Sequence, residues 1–194
     1  ALEHTTTLII AAGQSARYGS PKALALFENK PLITRALETA SAFTDQRVVV
    51  VTGGYASEIT PYLNTTRAVF NNSFASGMAS SLQKGISEIM SHLPETQFIA
   101  IMPVDQPWIT KGHLSNLLEA SVQSDLCVFT QSLEFTGPPA VLPARLFERT
   151  KSLQGDRGLK SVIESHELES IFHELAGRDI DTPEQLEQSQ LLKE

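Results

Sequence analysis

The sequence predicts an α/β fold of three layers, a mostly parallel twisted sheet with helices on both faces. Three observations carry this. The run Arg47–Thr52 (RVVVVT) has an unbroken apolar centre and Phe98–Met102 (FIAIM) is apolar throughout, as strands buried on both faces are. Segments with helical periodicity alternate with such runs, which is the pattern of parallel strands joined by crossover helices. Each early run also empties into turn residues, at Gly13, at Gly53-Gly54 and at Pro103-Val104-Asp105-Gln106-Pro107. In sheets of this kind, ligands bind beyond the carboxyl ends of the strands, so these turns are expected on one rim.

The elements follow in order. Thr7–Ala11 is the first strand, and residues 1–6 are expected to be a disordered tip. Pro31–Ala42 is a helix with proline in its first turn and Leu32, Ile33, Ala36, Leu37 and Ala40 on one face. The strand Arg47–Thr52 comes next, then a short helix around Ser57–Leu63 and a strand at Ala68–Phe70. Met78–His92 is a helix with Ser76 as its expected cap. After Phe98–Met102, Thr110 caps a helix that runs to about Ser121, and Leu126–Thr130 is the next strand. The rhythm then changes. Ala140–Leu142 is a short strand, Ala144–Lys151 and Leu159–Ser165 are helical, and Ile171–Leu175 is a late strand. Thr182, Pro183 and Gln185 form the cap, first position and capping box of a last helix. With no repeat or linker, residues 1–194 form one domain, with about 135–175 as an excursion from it.

Composition narrows the partners. The chain has 194 residues, 41% hydrophobic and 19% charged, with a net charge of −7 and a pI near 5.2. That balance argues against nucleic acid or an anionic membrane as partner, but not against a nucleotide held by a few local cations. No apolar run approaches the roughly 20 residues of a membrane span. The opening residues lack a basic-then-apolar leader pattern. Cys127, the one cysteine, lies in an apolar run and reads as buried packing; it fits a reducing, cytoplasmic setting. The five histidines are scattered without metal-ligand spacing and read as surface or structural residues.

The chemistry starts at Leu8–Lys22, LIIAAGQSARYGSPK. A buried strand runs into a small-residue loop that carries Arg17 and Lys22. Backbone N–H groups can face an anion there, and the cations neutralise it. The loop fits none of the common templates. A Walker loop has lysine directly after its last glycine, whereas Gly19 is followed by Ser20, Pro21 and Lys22. A dinucleotide fingerprint wants a third glycine. A nucleophile elbow wants glycine where Arg17 stands. A plain glycine turn with two surface cations is the alternative.

The stretch resembles the nucleotidyltransferase signature L-A-A-G-x-S-x-R-[MYF]-G-x-x-K, here Ile10-Ala11-Ala12-Gly13, Ser15, Arg17-Tyr18-Gly19 and Lys22. Further resemblances follow in order: Asn71 with Gly77-Met78-Ala79-Ser80-Ser81-Leu82 and Gly85; Asp105-Gln106-Pro107; Gly137-Pro138-Pro139-Ala140 with Gly155-Asp156-Arg157-Gly158; and Asp181-Thr182-Pro183-Glu184. Within that superfamily the chain looks most like the molybdenum cofactor cytidylyltransferases.

The resemblance implies a Rossmann-like nucleotidyltransferase fold and a set of roles. Ala11, Ala12, Gly13 and Ser15 would wrap the phosphates, while Arg17 and Lys22 stabilise the departing pyrophosphate. Asp105 would bind Mg²⁺, with Asp181 as second ligand and Asp179 as fallback. Asn71, Gly77, Ser80 and Ser81 would form the base and ribose pocket. Gly137, Pro139, Asp156 and Arg157 would shape the acceptor side, and Tyr18 would only pack. For Asp105 the alternative is a turn cap before Pro107; for Asp181, an aspartate stabilised by a helix N-terminus; for Asp156 and Arg157, a surface salt bridge. Leu159 departs from the small residue the family often has after its acceptor loop. The implied reaction is CTP plus molybdopterin giving the cytosine dinucleotide and pyrophosphate, with a molybdoenzyme receiving the product. A phosphate acceptor needs no general base, and none is evident. The alternatives are transfer to a sugar phosphate or methylerythritol phosphate, or a non-catalytic chaperone that carries nucleotide or cofactor to a molybdoenzyme.

Overall fold

Strand β1 (Thr5–Ala11) is the axis on which the chain is wound. The computed structural model describes residues 1–13 and 18–191. Along the chain follow β2 (Leu26–Phe27), β3 (Lys30–Pro31), α1 (Leu32–Thr44), β4 (Val48–Thr52), α2 (Ala56–Ile59), β5 (Arg67–Phe70) and α3 (Met78–His92). Then come β6 (Phe98–Pro103), α4 (Lys111–Ser124), β7 (Cys127–Gln131), β8 (Thr136–Pro143), β9 (Leu168–Phe172) and α5 (Pro183–Leu191). The seven-stranded sheet has the order β5-β4-β1-β6-β8-β7-β9, and β2 and β3 make a small separate hairpin. β1 runs parallel to β4 and β6, β4 to β5, and β7 to β9. β8 alone runs antiparallel to its neighbours, because a short turn from β7 returns it between β6 and β7.

Alternation along the strands divides the core. Ile9, Val50, Met102 and Val128 face one side, where Leu32 and Ile33 of α1 and Leu114 and Leu117 of α4 cover them. Leu8, Val51, Ile101 and Phe129 face the other, under Leu82, Ile86 and Ile89 of α3. Three layers result, as the two-sided apolar runs require. Among the described residues no helix is long and apolar enough to cross a membrane.

Four expectations change. The opening residues are ordered: a 3₁₀ turn spans Leu2–His4, and the strand already starts at Thr5. Thr6 and Thr7 look polar but are fully buried, each hydroxyl bonded at 2.8 Å to another buried threonine, Thr96 and Thr44. The excursion is narrower than 135–175, since β8 and β9 belong to the sheet and the intervening 144–167 is mostly 3₁₀ turns. The late strand lies three residues earlier than expected, because pairing with β7 sets its register at an exposed edge where apolar pattern is weak. Ser76 gives no cap; Gly77 takes the N-cap position of α3. Thr110 does cap α4, accepting from the His113 N–H at 3.2 Å.

Gly85 sets how closely α3 lies on the sheet. A Cβ there would stand 2.5 Å from Leu8 Cδ1 and 2.8 Å from Val51 Cγ2, both in fully buried residues. Gly85→Ala adds about 1 kcal/mol of helix propensity, yet overpacking at such a contact costs about 1–3 kcal/mol. The net expected outcome is a lower urea midpoint at unchanged m-value. A higher midpoint would show that α3 lifts off the sheet without cost.

Candidate active site

A cleft of about 410 Å³ opens at the carboxyl ends of β1 and β6. Its charged side is built from three segments distant in sequence. Lys22, on the 3₁₀ turn Lys22–Leu24, donates from Nζ to Asp105 Oδ2 at 2.7 Å and to Asp181 Oδ1 at 2.9 Å. Asp105 stands on the turn after β6. Asp181 belongs to a strap, Asp179-Ile180-Asp181, fastened to that turn: the Ile180 N–H donates to the Asp105 carbonyl at 2.9 Å, and Gln106 Nε2 donates to Asp179 Oδ1 at 2.8 Å. Ile180 is fully buried, while both flanking aspartates line the cleft. Beyond the strap, Gln185 Oε1 accepts the N–H groups of Asp181 and Thr182, and Thr182 Oγ1 accepts that of Gln185. This is the expected capping box, and it fixes the direction in which Asp181 leaves the chain.

The electrostatics follow from this crowding. Burial pushes the Lys22 ammonium down, but the charges and hydrogen bonds of Asp105 and Asp181 outweigh it, so the pKa lies above its ordinary value. Burial, and then the charge of Asp105, push the Asp179 carboxyl up to about 6, against the opposing Gln106 hydrogen bond.

Of the phosphate-loop residues, Ala11 and Gly13 line the cleft, and Ala12 is buried where Gly53 packs against it. Ser15 and Arg17 lie outside the described residues. Tyr18 packs against the core, as expected. Asn71, Ser80 and Ser81 do come together, but with each other: Asn71 Nδ2 donates to Ser80 Oγ at 2.8 Å and Ser81 Oγ at 3.0 Å, and its Oδ1 accepts the Ser73 N–H. Their polar atoms hold the loop before α3, and it is Met78 and Leu82 of that helix that line the cleft. Gly77 is needed for another reason. Its φ is +113°, and a Cβ would collide with the Gly155 carbonyl and Asp156. The Ala79 N–H donates to that same carbonyl at 3.0 Å, so the 155–158 loop docks on the start of α3.

On the expected acceptor side, Gly137 is buried beneath the Phe135 ring, and Pro139 is buried with its carbonyl accepting from Thr130 Oγ1 at 2.7 Å. The cleft is lined instead by their neighbours Phe135 and Pro138, with Gly158 and Leu159. Asp156 and Arg157 are exposed, and no ion pair joins them among the described residues.

Among the described residues no group of three or more His, Cys, Asp or Glu is preassembled to hold a metal. The donor chemistry at Lys22 nevertheless fits a hard cation. Two carboxylates from different segments converge on one point, and Mg²⁺ or Mn²⁺ characteristically takes one or two carboxylates and completes its shell with phosphate oxygens and water.

Sequence reasoning missed Gln106 and Phe135 as site builders, although both stand inside or beside the motifs it singled out. It also missed that two histidines meet. The His113 and His173 rings lie 4.7 Å apart, and Trp108 lies 4.6 Å from His173. The Thr130 hydroxyl proton goes to the Pro139 carbonyl, so Thr130 accepts from His113 Nε2–H at 2.8 Å, which places the proton of the neutral ring on Nε2. Burial, and then His173, lower the His113 pKa to about 4. The unfolded chain takes up this proton near pH 6.5 and the folded chain near pH 4, so stability is full above pH 6.5 and falls as pH drops through that window. Urea midpoints across pH 7 to 4 should show the loss in wild type and a smaller one in His113→Gln.

A family model described as the MobA-like NTP transferase domain matches residues 7–171. Among solved structures, the chain superposes on the Rv0371c homolog from Mycobacterium sp. strain JC1 with a TM-score of 0.84 at 24% identity over 99% of each chain. It superposes on Rv0371c of Mycobacterium tuberculosis H37Rv, solved in complex with manganese, with a TM-score of 0.79 at 20% identity over 98% of this chain and 100% of that one. Molybdopterin-guanine dinucleotide biosynthesis protein A from Archaeoglobus fulgidus gives a TM-score of 0.76 at 15% identity, covering 97% and 98%. These likenesses agree on a Rossmann-like nucleotidyltransferase sheet, and the match over most of its length makes the chain a nucleotidyltransferase that belongs to the MobA-like NTP transferase family.

Proposed function

We propose that this nucleotidyltransferase uses CTP and Mg²⁺ to cytidylylate the terminal phosphate of molybdopterin, releasing pyrophosphate. The observation that carries the reading is the convergence of Lys22, Asp105 and Asp181 within 2.7–2.9 Å beside Gly13, where a triphosphate would enter. Gly13 and its loop hold the β- and γ-phosphates through backbone N–H groups. Lys22, with Arg17 from the same loop, neutralises charge that builds on the leaving pyrophosphate. Asp105 and Asp181 would hold the divalent cation, which supplies charge neutralisation at the α-phosphate. The pairing of Asp179 with Gln106 favours Asp181 as the second ligand. No histidine lines the cleft among the described residues, which suits an acceptor phosphate that is already ionised and needs only alignment.

The acceptor reading rests on the apolar lining. Met78, Leu82, Phe135, Pro138 and Leu159 line the same cleft as the charged residues. Such a lining can take the face of a flat ring. Molybdopterin is preferred over a sugar phosphate or methylerythritol phosphate because the motifs resemble the molybdenum cofactor cytidylyltransferases. CTP is preferred over GTP because Ala11-Ala12-Gly13 and Asp105-Gln106-Pro107 resemble the cytidylyl branch. The product would pass in the cytoplasm to a molybdoenzyme.

The decisive measurement is pyrophosphate release from each of the four NTPs, with and without molybdopterin, in Mg²⁺ and in Mn²⁺. Release is expected with CTP and only when molybdopterin is present. CTP binding without release would favour the chaperone reading. Lys22→Ala and Asp105→Ala are each expected to reduce release by about 10³-fold or more; wild-type rates in either would overturn the mechanism. Phe135→Ala is expected to raise KM for molybdopterin with little change for CTP, and the reverse pattern would move the acceptor elsewhere.

A further inference from the structure

We propose that Lys22 is an internal counter-cation competing with the divalent metal for Asp105 and Asp181, so that the two carboxylates are released only when Lys22 moves away. The inference rests on the metal assignment above.

The geometry leaves room for one cation. The Lys22 ammonium nitrogen stands 2.7 Å from one carboxylate oxygen and 2.9 Å from the other, so it occupies the point on which both converge. A divalent ion bound by the same two oxygens sits at about 2.0–2.6 Å from them. Ion and ammonium would then overlap, with like charges at contact. The carboxylates are the less mobile partners. Asp105 is held through its carbonyl by the Ile180 N–H, and Asp181 through its N–H by Gln185. Lys22 ends a flexible four-carbon stem on a short 3₁₀ turn, so displacement falls to the lysine. Asp179 does not take its place, because Gln106 engages it.

Charge gives the competition its direction. A divalent ion brings the two carboxylates one positive charge more than the Lys22 ammonium does. The displaced ammonium needs an anion, and Gly13 borders the same cleft where a triphosphate would lie. The lysine that guards the metal carboxylates therefore becomes the phosphate ligand. A purely structural salt bridge makes the opposite prediction, since deleting Lys22 would then let the carboxylates splay apart and weaken metal binding.

The test is Mn²⁺ titration of the full chain without nucleotide, followed by the electron paramagnetic resonance signal of free Mn²⁺. Lys22→Met is expected to bind Mn²⁺ about tenfold tighter than wild type or more, and Lys22→Arg to match wild type. Equal or weaker binding by a Lys22→Met protein that melts cooperatively would overturn the proposal. Should Lys22→Met fail to fold, Lys22→Gln, which keeps a hydrogen-bond donor without the charge, carries the same expectation and the same overturning result. The double variant Lys22→Met/Asp105→Asn separates the two levels. Loss of the tight binding there upholds Asp105 as a ligand, whereas retained tight binding would refute the metal assignment itself.

Discussion

Everything at the cleft depends on bringing two like charges to one cation. Asp105 and Asp181 lie far apart in sequence, and unpaired they would repel each other in a partly buried setting. Lys22 offsets that repulsion directly, and the backbone bond from Ile180 to Asp105 fixes the distance at which it does so. The wound sheet makes this arrangement possible. β1 and β6 are neighbours, so the loops at their carboxyl ends must open side by side, and Lys22 has only the short way from one loop to the other to cross. Fully buried Ile180 anchors the returning strap in the core, which turns a terminal segment into a third wall of the site.

The same packing shows what residues expected as substrate contacts do for the frame. Asn71 spends its amide on Ser80, Ser81 and the Ser73 backbone, Gly77 makes room for the 155–158 loop, and Gly85 lets α3 lie flat on the sheet. A motif of this kind fixes where Met78 and Leu82 stand in the cleft. Short polar residues at a helix start are the residues that bond their own backbone most readily, so one-dimensional spacing cannot separate a cap network from a binding pocket.

Legibility in the sequence follows the same line. The uniformly apolar β4 and β6, the period of α3 and the capping box of α5 were readable because each is decided by its own residues. Thr6 reads as part of a tip in the sequence because its burial depends on Thr96, which only the fold brings near. The register of β9 and the meeting of His113 with His173 are likewise set by a neighbouring strand. At the site, Lys22, Asp105 and Asp181 could be named one by one, but their shared contact could not. Distance between segments is a property of the sheet order, and no local pattern encodes it.

The cleft joins two surfaces with opposed demands. The charged wall gains from water exclusion, since a phosphate and its counter-charges attract more strongly in a lower dielectric. The wall of Met78, Phe135 and Leu159 is what can exclude that water once a ring lies against it. An acceptor with a flat apolar face would therefore do more than occupy a pocket. By covering the charged wall, it would strengthen the contacts of Lys22 and the carboxylates with the phosphates at the moment of transfer. Under the proposed reading, the binding energy of the ring would be realised as charge stabilisation at the phosphates rather than as tighter ground-state binding.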